Sequence, residues 1–467
     1  MLCFALPLLA ALAPLPCRQC TISSPLLSIR LPSAPTLMAA AAAEKDSGFE
    51  LPKPLSAAAP VATFIAIHTA LRHTLPRLGI KFPVTVIGML CGFVLLCLLP
   101  QERAERVVDY FDPACRLLRD WLAAIFAPGF IALPLAMPPV SVADLAAFLL
   151  LCAFGLAATI ASNVAIASLL APRTPIDFEQ RDLGTPDAGP PPSRPNPFPA
   201  SQQAWLAGVA LFGAGLHLKL RDPFTLCASL LATTLGSFSI ATTKCSPAVK
   251  TWLHPFLTCS LVTLGACAGI GAATGAGGHA ILQAYAAAGG AGNLLSHLMG
   301  PTVISFAFQL YEYRAQLRRR AVQVIGTATI GSFVGMATSA IAARAISLNP
   351  ALRLALLGRS SISALAMEIC TIFQVQPPAL GLLAAFATGL LAFPFGKKLL
   401  NLLGVRDPAT RGLALAGAAH GGGLLAISDE PEAFPFAALG MNLFGTCAVC
   451  LVSVPPVARL LRRLAGF

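Results

Sequence analysis

Apolar runs long enough to cross a bilayer recur along this chain, at 55–72, 83–100, 121–137 and 142–171, then at 204–220, 224–243, 252–275, 294–311, 321–347, 353–373, 378–400, 409–427 and 433–456. A helix needs about 20 residues to span the hydrocarbon core, and lipid offers backbone groups no partners. Such a chain therefore closes its hydrogen bonds within helices or within a barrel. The periods are helical and lack the short alternation of barrel strands, so the expected fold is an all-α polytopic membrane protein with about 12 transmembrane helices. Composition agrees, with 56% hydrophobic residues, 11% charged residues and a mean hydropathy of +0.75, outside the usage of soluble domains. The net charge of +12 gathers in loop clusters such as Lys397-Lys398, Arg318-Arg319-Arg320 and Arg462-Arg463. These mark topology and meet anionic headgroups; the partner they point to is the lipid bilayer, not nucleic acid.

The chain divides into two expected membrane modules. Only Arg18 and Arg30 carry charge before Glu44, and serine and alanine are frequent there, which is the composition of a transit peptide over 1–43. A first module follows over 52–171; within it 101–120, charged on both sides of Pro113, is expected at the membrane surface. Residues 172–202, dense in proline and polar side chains, read as a spacer. Connecting membrane helices over 203–251 then lead to the second module, 252–467.

Enzymatic and cofactor chemistry find no footing. Most of the 14 cysteines lie in apolar runs as small hydrophobes and imply no disulfide framework. The histidines stand in no metal-ligand spacing, and phosphate-cradling, dinucleotide-binding and serine-elbow motifs are missing, so neither a cofactor nor an enzyme activity is expected.

What calls for explanation is polarity inside the second module. Irregular backbone and charge are tolerated at membrane depth only where they are buried in protein or line a water-filled cavity. Three segments break the apolar pattern. Gly300-Pro301 stands mid-run in 294–311, where proline removes a donor and predicts a kink. Arg359, Ser360, Ser361, Ser363 and Glu368 interrupt 353–373, and helical spacing places Arg359, Ser363 and Glu368 near one face. His420 is followed by Gly421, Gly422 and Gly423 in 409–427. Interrupted segments point to a transporter site, because broken helices aim amides and carbonyls at a solute, and a small carboxylate requires a cation and donors. Substrate contact is therefore expected from Arg359, Ser360, Ser361, Ser363, Glu368, His420, Gly421, Gly422 and Asn442, with Gly300, Pro301, Asp407 and Arg411 as hinge or structural residues. Alternatives stand beside these. Arg359 snorkels to an interface, Glu368 pairs with a buried arginine or stays protonated, His420 only packs, Asn442 with Thr446 glues two helices, and Asp407 with Arg411 caps a helix start.

The stretch Asp407-Pro408-Ala409-Thr410-Arg411-Gly412, followed by Ala419-His420, resembles the signature of the LrgB family of membrane proteins. The continuation Glu430-Pro431-Glu432-Ala433-Phe434-Pro435-Phe436 is similar to the plastidic branch of that family, the glycolate/glycerate translocators, and the likeness extends over 252–460. Phe82 to Met89 and Phe126 to Phe130 resemble the small LrgA partner family. An LrgA-like module fused ahead of an LrgB-like one implies a secondary transporter of 2-hydroxy monocarboxylates, exchanging glycolate and glycerate across the plastid inner envelope. The bacterial relatives imply the alternative, a holin-like protein acting on envelope integrity or turgor. Ala366-Met367-Glu368-Ile369 is closer to the bacterial pattern. A homo-oligomeric assembly is left open.

Overall fold

The computed structural model describes residues 53–79, 83–136, 141–172, 197–246, 249–250, 253–427 and 429–467; the expected transit peptide, Ser428 and most of the spacer lie outside them. Among the described residues all regular structure is helical. In chain order the α-helices are α1 Lys53–Thr74, α2 Val84–Leu98, α3 Gln101–Asp120, α4 Leu122–Ile131, α5 Leu133–Ala136, α6 Val142–Leu169, α7 Ala200–Leu220, α8 Pro223–Lys244, α9 Pro255–Thr274 and α10 Gly278–Ala286. There follow α11 Ala291–Ser296, α12 Met299–Glu312, α13 Arg314–Arg319, α14 Ala321–Ala345, α15 Pro350–Ala355, α16 Ser363–Ile372, α17 Ala379–Leu402, α18 Pro408–Ala426, α19 Phe434–Ser453 and α20 Pro455–Leu464.

Six of these, α6, α8, α9, α14, α17 and α19, are long and apolar enough to cross a membrane, and a seventh span results if α3 and the segment Leu122–Leu135 count as one. Among the described residues the expected number near 12 is not reached, in part because some apolar runs fold as pieces. The run 353–373 becomes α15, a 3-10 turn at Leu356–Gly358, and the ten-residue α16. The run 294–311 is cut at 297–298, not at Gly300-Pro301. Pro301 instead falls in the first turn of α12, where its missing N–H would find no intrahelical partner anyway.

The described residues form two compact units, one from those up to 122 with 297–308, the other from those within 123–296 with 309–467. In the first, α1 packs on α3 through Phe64 and Phe111, and both rings meet Phe308 of α12, with ring centroids 4.6 to 5.7 Å apart. Helix α3 is a single amphipathic helix that buries Ala104, Phe111, Ala114 and Leu118 and exposes Glu102, Arg103, Glu105 and Arg106. Gly300 meets the imidazole of His68, so closely that a Cβ there would collide with the ring.

In the second unit α6 packs against α14, α17 and α18, and α18 also against α19. Leu156 and Ile160 of α6 join Ala414, Leu415, Ala416 and Ala418 of α18 in one buried cluster with Ala392 and Leu400 of α17. Lipid supplies no hydrophobic drive between helices, so alanine and glycine at these contacts stabilise by letting backbones approach.

Candidate functional site

Arg359 is 1% exposed and sits where the chain leaves the 3-10 turn. Ile362 is extended (φ −59°, ψ 151°) and α16 restarts at Ser363. That break puts Arg359 and Glu368 on different segments, so the shared helical face expected for Arg359, Ser363 and Glu368 does not form. The guanidinium turns inward. Its Nε donates to Ser339 Oγ (2.8 Å) and its Nη2 to Thr159 Oγ1 (2.5 Å), while Nη1 has no hydrogen-bond partner in the protein. Among the described residues no carboxylate pairs with it. Two neutral hydroxyls do not balance a buried positive charge, whose burial costs several kcal/mol on its own.

The surroundings of Arg359 follow two stripes of small and polar residues at four-residue spacing. Helix α6 contributes Gly155, Thr159, Asn163 and Ala167; helix α14 contributes Gln323, Thr327, Gly331, Gly335 and Ser339. Positions four apart share a helix face, so each stripe is one continuous seam. The two seams meet in antiparallel register. Gln323 Nε2 donates to the Ala167 carbonyl (3.1 Å), Gly331 abuts Asn163, Gly335 abuts Thr159 and Ser360, and Ser339 reaches Arg359. Gly155 is where the guanidinium crosses α6, and a Cβ at that position would occupy its place. Along this seam Thr327 Oγ1, both side-chain atoms of Asn163, Ser360 Oγ and Arg359 Nη1 are buried without partners.

Helix α18 closes one side and is broken at Ala419 (φ −143°, ψ 17°) and His420 (φ 43°, ψ −121°). The His420 ring is buried, with Nε2 2.9 Å from the Ala385 carbonyl, so that nitrogen carries the proton and donates. The glycines after it serve close approach. A Cβ on Gly422 would strike the backbone of Gly389 and one on Gly423 the carbonyl of Leu415, whereas one on Gly421 would meet only Met441 Sδ, at an ordinary contact of 3.8 Å. One turn before the break, Gly417 lies against Asn163 and Phe444. Cys152 of α6, one turn before Gly155, approaches the carbonyl of Ala384, neighbour of the carbonyl that His420 binds.

The seam opens at one end onto a charged cluster. Asp407 caps α18 by accepting from Thr410 N (2.8 Å) and Thr410 Oγ1 (2.7 Å), and is also reached by Arg320 (3.3 Å) and Gln323 (3.4 Å). Burial works to raise its pKa, but the Thr410 hydrogen bonds and the Arg320 charge outweigh it and hold the carboxyl below its ordinary value. Arg411 does not pair with Asp407. It grips Glu430 with two bonds (2.7 and 2.6 Å) and donates to the Val405 carbonyl (2.8 Å), while Lys397 holds Asp429 (2.8 Å). Hydrogen bonding to Arg411 lowers Glu430, and hydrogen bonding to Lys397 lowers Asp429. Arg406, Arg411, Asp429, Glu430 and Glu432 line an open cleft at this place.

The sequence-derived residues thus separate. Arg359 and Ser360 share one buried cluster; Ser361 and Ser363 are buried beside it with no bond to the guanidinium. Glu368 is half-buried and makes no ion pair with Arg359. Ala419 and His420 form the helix break and Gly421 and Gly422 follow it, while Asn442 Nδ2 donates to Gln309 Oε1 (3.1 Å) and its Oδ1 has no partner. Gly155, Thr159, Asn163 and Ser339 escaped the sequence reading. Their signal is the four-residue repeat inside apolar helices.

A helical, multi-pass membrane protein with a buried, uncompensated cation between broken helices is the class this fold and site define. Residues 234–458, a little under half of the chain, match the model of the LrgB-like family. The match begins inside α8, ahead of the boundary expected at 252. The chain is 28% identical over 420 residues to plastidal glycolate/glycerate translocator 1, chloroplastic, of Arabidopsis thaliana, covering 86% of this chain and 79% of that protein. It is 26% identical over 163 residues to the antiholin-like protein LrgB of Bacillus mycoides (strain KBAB4), covering 34% of this chain and 70% of that one. The uncharacterized protein YwbG of Bacillus subtilis (strain 168) is 28% identical over 132 residues, 28% of this chain and 58% of that protein. No solved structure matches the chain.

Proposed function

We propose that the protein is a secondary transporter of small 2-hydroxy monocarboxylates that exchanges glycolate and glycerate across the plastid inner envelope. The observation that carries this reading is Arg359, a guanidinium 1% exposed with one free N–H edge and no carboxylate to neutralise it. A carboxylate bound there supplies the missing charge, and its departure restores the cost, so binding is strong enough to select and reversible enough to release. The likeness to the Arabidopsis translocator over most of both chains supports the substrate pair and the compartment, and the composition of 1–43 agrees with plastid import. On this reading 52–171 is the LrgA-like module, 172–202 the spacer and 252–467 the LrgB-like module. Among the substrate-contact residues we retain Arg359, Ser360, Ser361, Ser363, His420, Gly421, Gly422, Asn442 and Glu368, with Gly300, Pro301, Asp407 and Arg411 as structural residues.

The second reading, a holin-like protein affecting envelope integrity, is favoured by the likeness to the Bacillus antiholin-like proteins. Purified protein in liposomes preloaded with unlabelled glycerate distinguishes the two. Saturable uptake of labelled glycolate, driven by the internal glycerate, is expected. Leakage of unrelated neutral solutes at comparable rates would contradict the carrier and favour the pore.

A further inference from the structure

We propose that Asn163 recognises the hydroxyl group of the substrate and is the residue that separates 2-hydroxy acids from plain carboxylates; this rests on the transporter reading above. Asn163 is fully buried, and neither its Nδ2 nor its Oδ1 has a hydrogen-bond partner in the protein. A buried amide left unpaired on both sides carries the desolvation penalty of each group, and an apolar side chain of similar size would fill the same space without it. Packing therefore gives no reason for an asparagine here.

Its place supplies one. Asn163 stands one turn along α6 from Thr159, which holds the Arg359 guanidinium, and the two side chains share a face about 5–6 Å apart at Cβ. Across from them Gly331 and Gly335 of α14 take the same step, and Gly335 also brings Ser360 Oγ, another partnerless group, to the level of Thr159. Gly331 and Gly417 let Asn163 pack on the neighbouring backbones, with the Phe444 ring as the apolar wall beside both glycines. A short acid with its carboxylate on Arg359 Nη1 extends along this seam toward Asn163. Its hydroxyl takes one end of the amide, donating to Oδ1 on the Gly331 side or accepting from Nδ2 on the Gly417 side. A carboxylate without the hydroxyl leaves that end unpaired, and a site built to hydrogen-bond a hydroxyl rejects the analogue that lacks it. Asn163 lies outside the LrgB-like segment, so α6 supplies this selectivity.

The test uses the full chain in glycerate-loaded liposomes and reads inhibition of labelled glycolate uptake by lactate and by propionate, which differ only in the 2-hydroxyl. In the unmodified protein lactate should inhibit at least about tenfold better than propionate. In Asn163→Ala, which is smaller and collides with nothing, glycolate itself should bind about tenfold more weakly, and on the remaining uptake the ratio should fall to about threefold or less while propionate inhibition is kept; unchanged glycolate affinity overturns the inference. A ratio unchanged in Asn163→Ala at matched protein overturns the inference and leaves the transporter reading intact. Equal inhibition by the two acids in the unmodified protein overturns it without any variant, and absence of glycolate counterflow in that protein overturns both.

Discussion

His420 holds a backbone conformation (φ 43°, ψ −121°) that only glycine adopts freely, so the histidine maintains strain of about 1–3 kcal/mol against its bond to the Ala385 carbonyl. Two substitutions separate these contributions. His420→Gly loses the bond and the strain; His420→Ala loses the bond and keeps the strain. Thermal unfolding of the purified protein in detergent should therefore rank glycine above alanine by about 1 kcal/mol or more. The reverse ranking would mean that the break at 419–420 is not maintained. The glycines after it differ in the same concrete way. Gly421→Ala should leave the protein intact, whereas Gly422→Ala drives a methyl into Gly389 and should lower both folded yield and stability, by about 1–3 kcal/mol.

Among the elements, the start of α18 is fixed by carboxylates with lowered pKa values, and the sign of the resulting pH dependence follows. A carboxylate whose folded pKa lies below its unfolded value contributes stability above the unfolded pKa and loses it as pH falls through the folded one. Glu430 is lowered by Arg411 and Asp429 by Lys397. The clamp should hold at neutral pH and weaken on acidification below about pH 4.5. Glu430→Gln should flatten that acid limb in melts taken from pH 7 downward; an unchanged limb would assign acid sensitivity elsewhere. This cluster was legible in the sequence as charge within an apolar region, and so were Arg359 and His420. The pairing was not, because Arg411 lies four residues from Asp407 yet reaches Glu430 across the bend. Nor were Thr159, Asn163 and Ser339, since hydroxyls and amides in apolar helices often bond their own preceding carbonyls. Only their repeat every four residues sets these apart. The interruption near Gly300-Pro301 was displaced for a simple reason: proline is harmless in a first helical turn, so the chain breaks just before it.

For the whole molecule, the consequence of α6 packing on α14, α17 and α18 is that the site draws on sequence from both sides of the spacer. A protease site placed within 173–196 and cleaved in the purified protein should leave two pieces that co-elute and still exchange glycolate for glycerate. Separation of the pieces would contradict the packing of α6 into the second unit. The central claim is that a buried, unneutralised guanidinium binds the substrate carboxylate, and Arg359 variants test it most directly in the glycerate-loaded liposome assay. Arg359→Gln should reduce glycolate counterflow by about 100-fold or more at matched folded protein, the loss of a charge-assisted hydrogen bond and its charge. Arg359→Lys, which keeps the charge and loses the fork, should retain a fraction of it. Full counterflow in Arg359→Gln, with unchanged affinity for glycolate, would contradict the account.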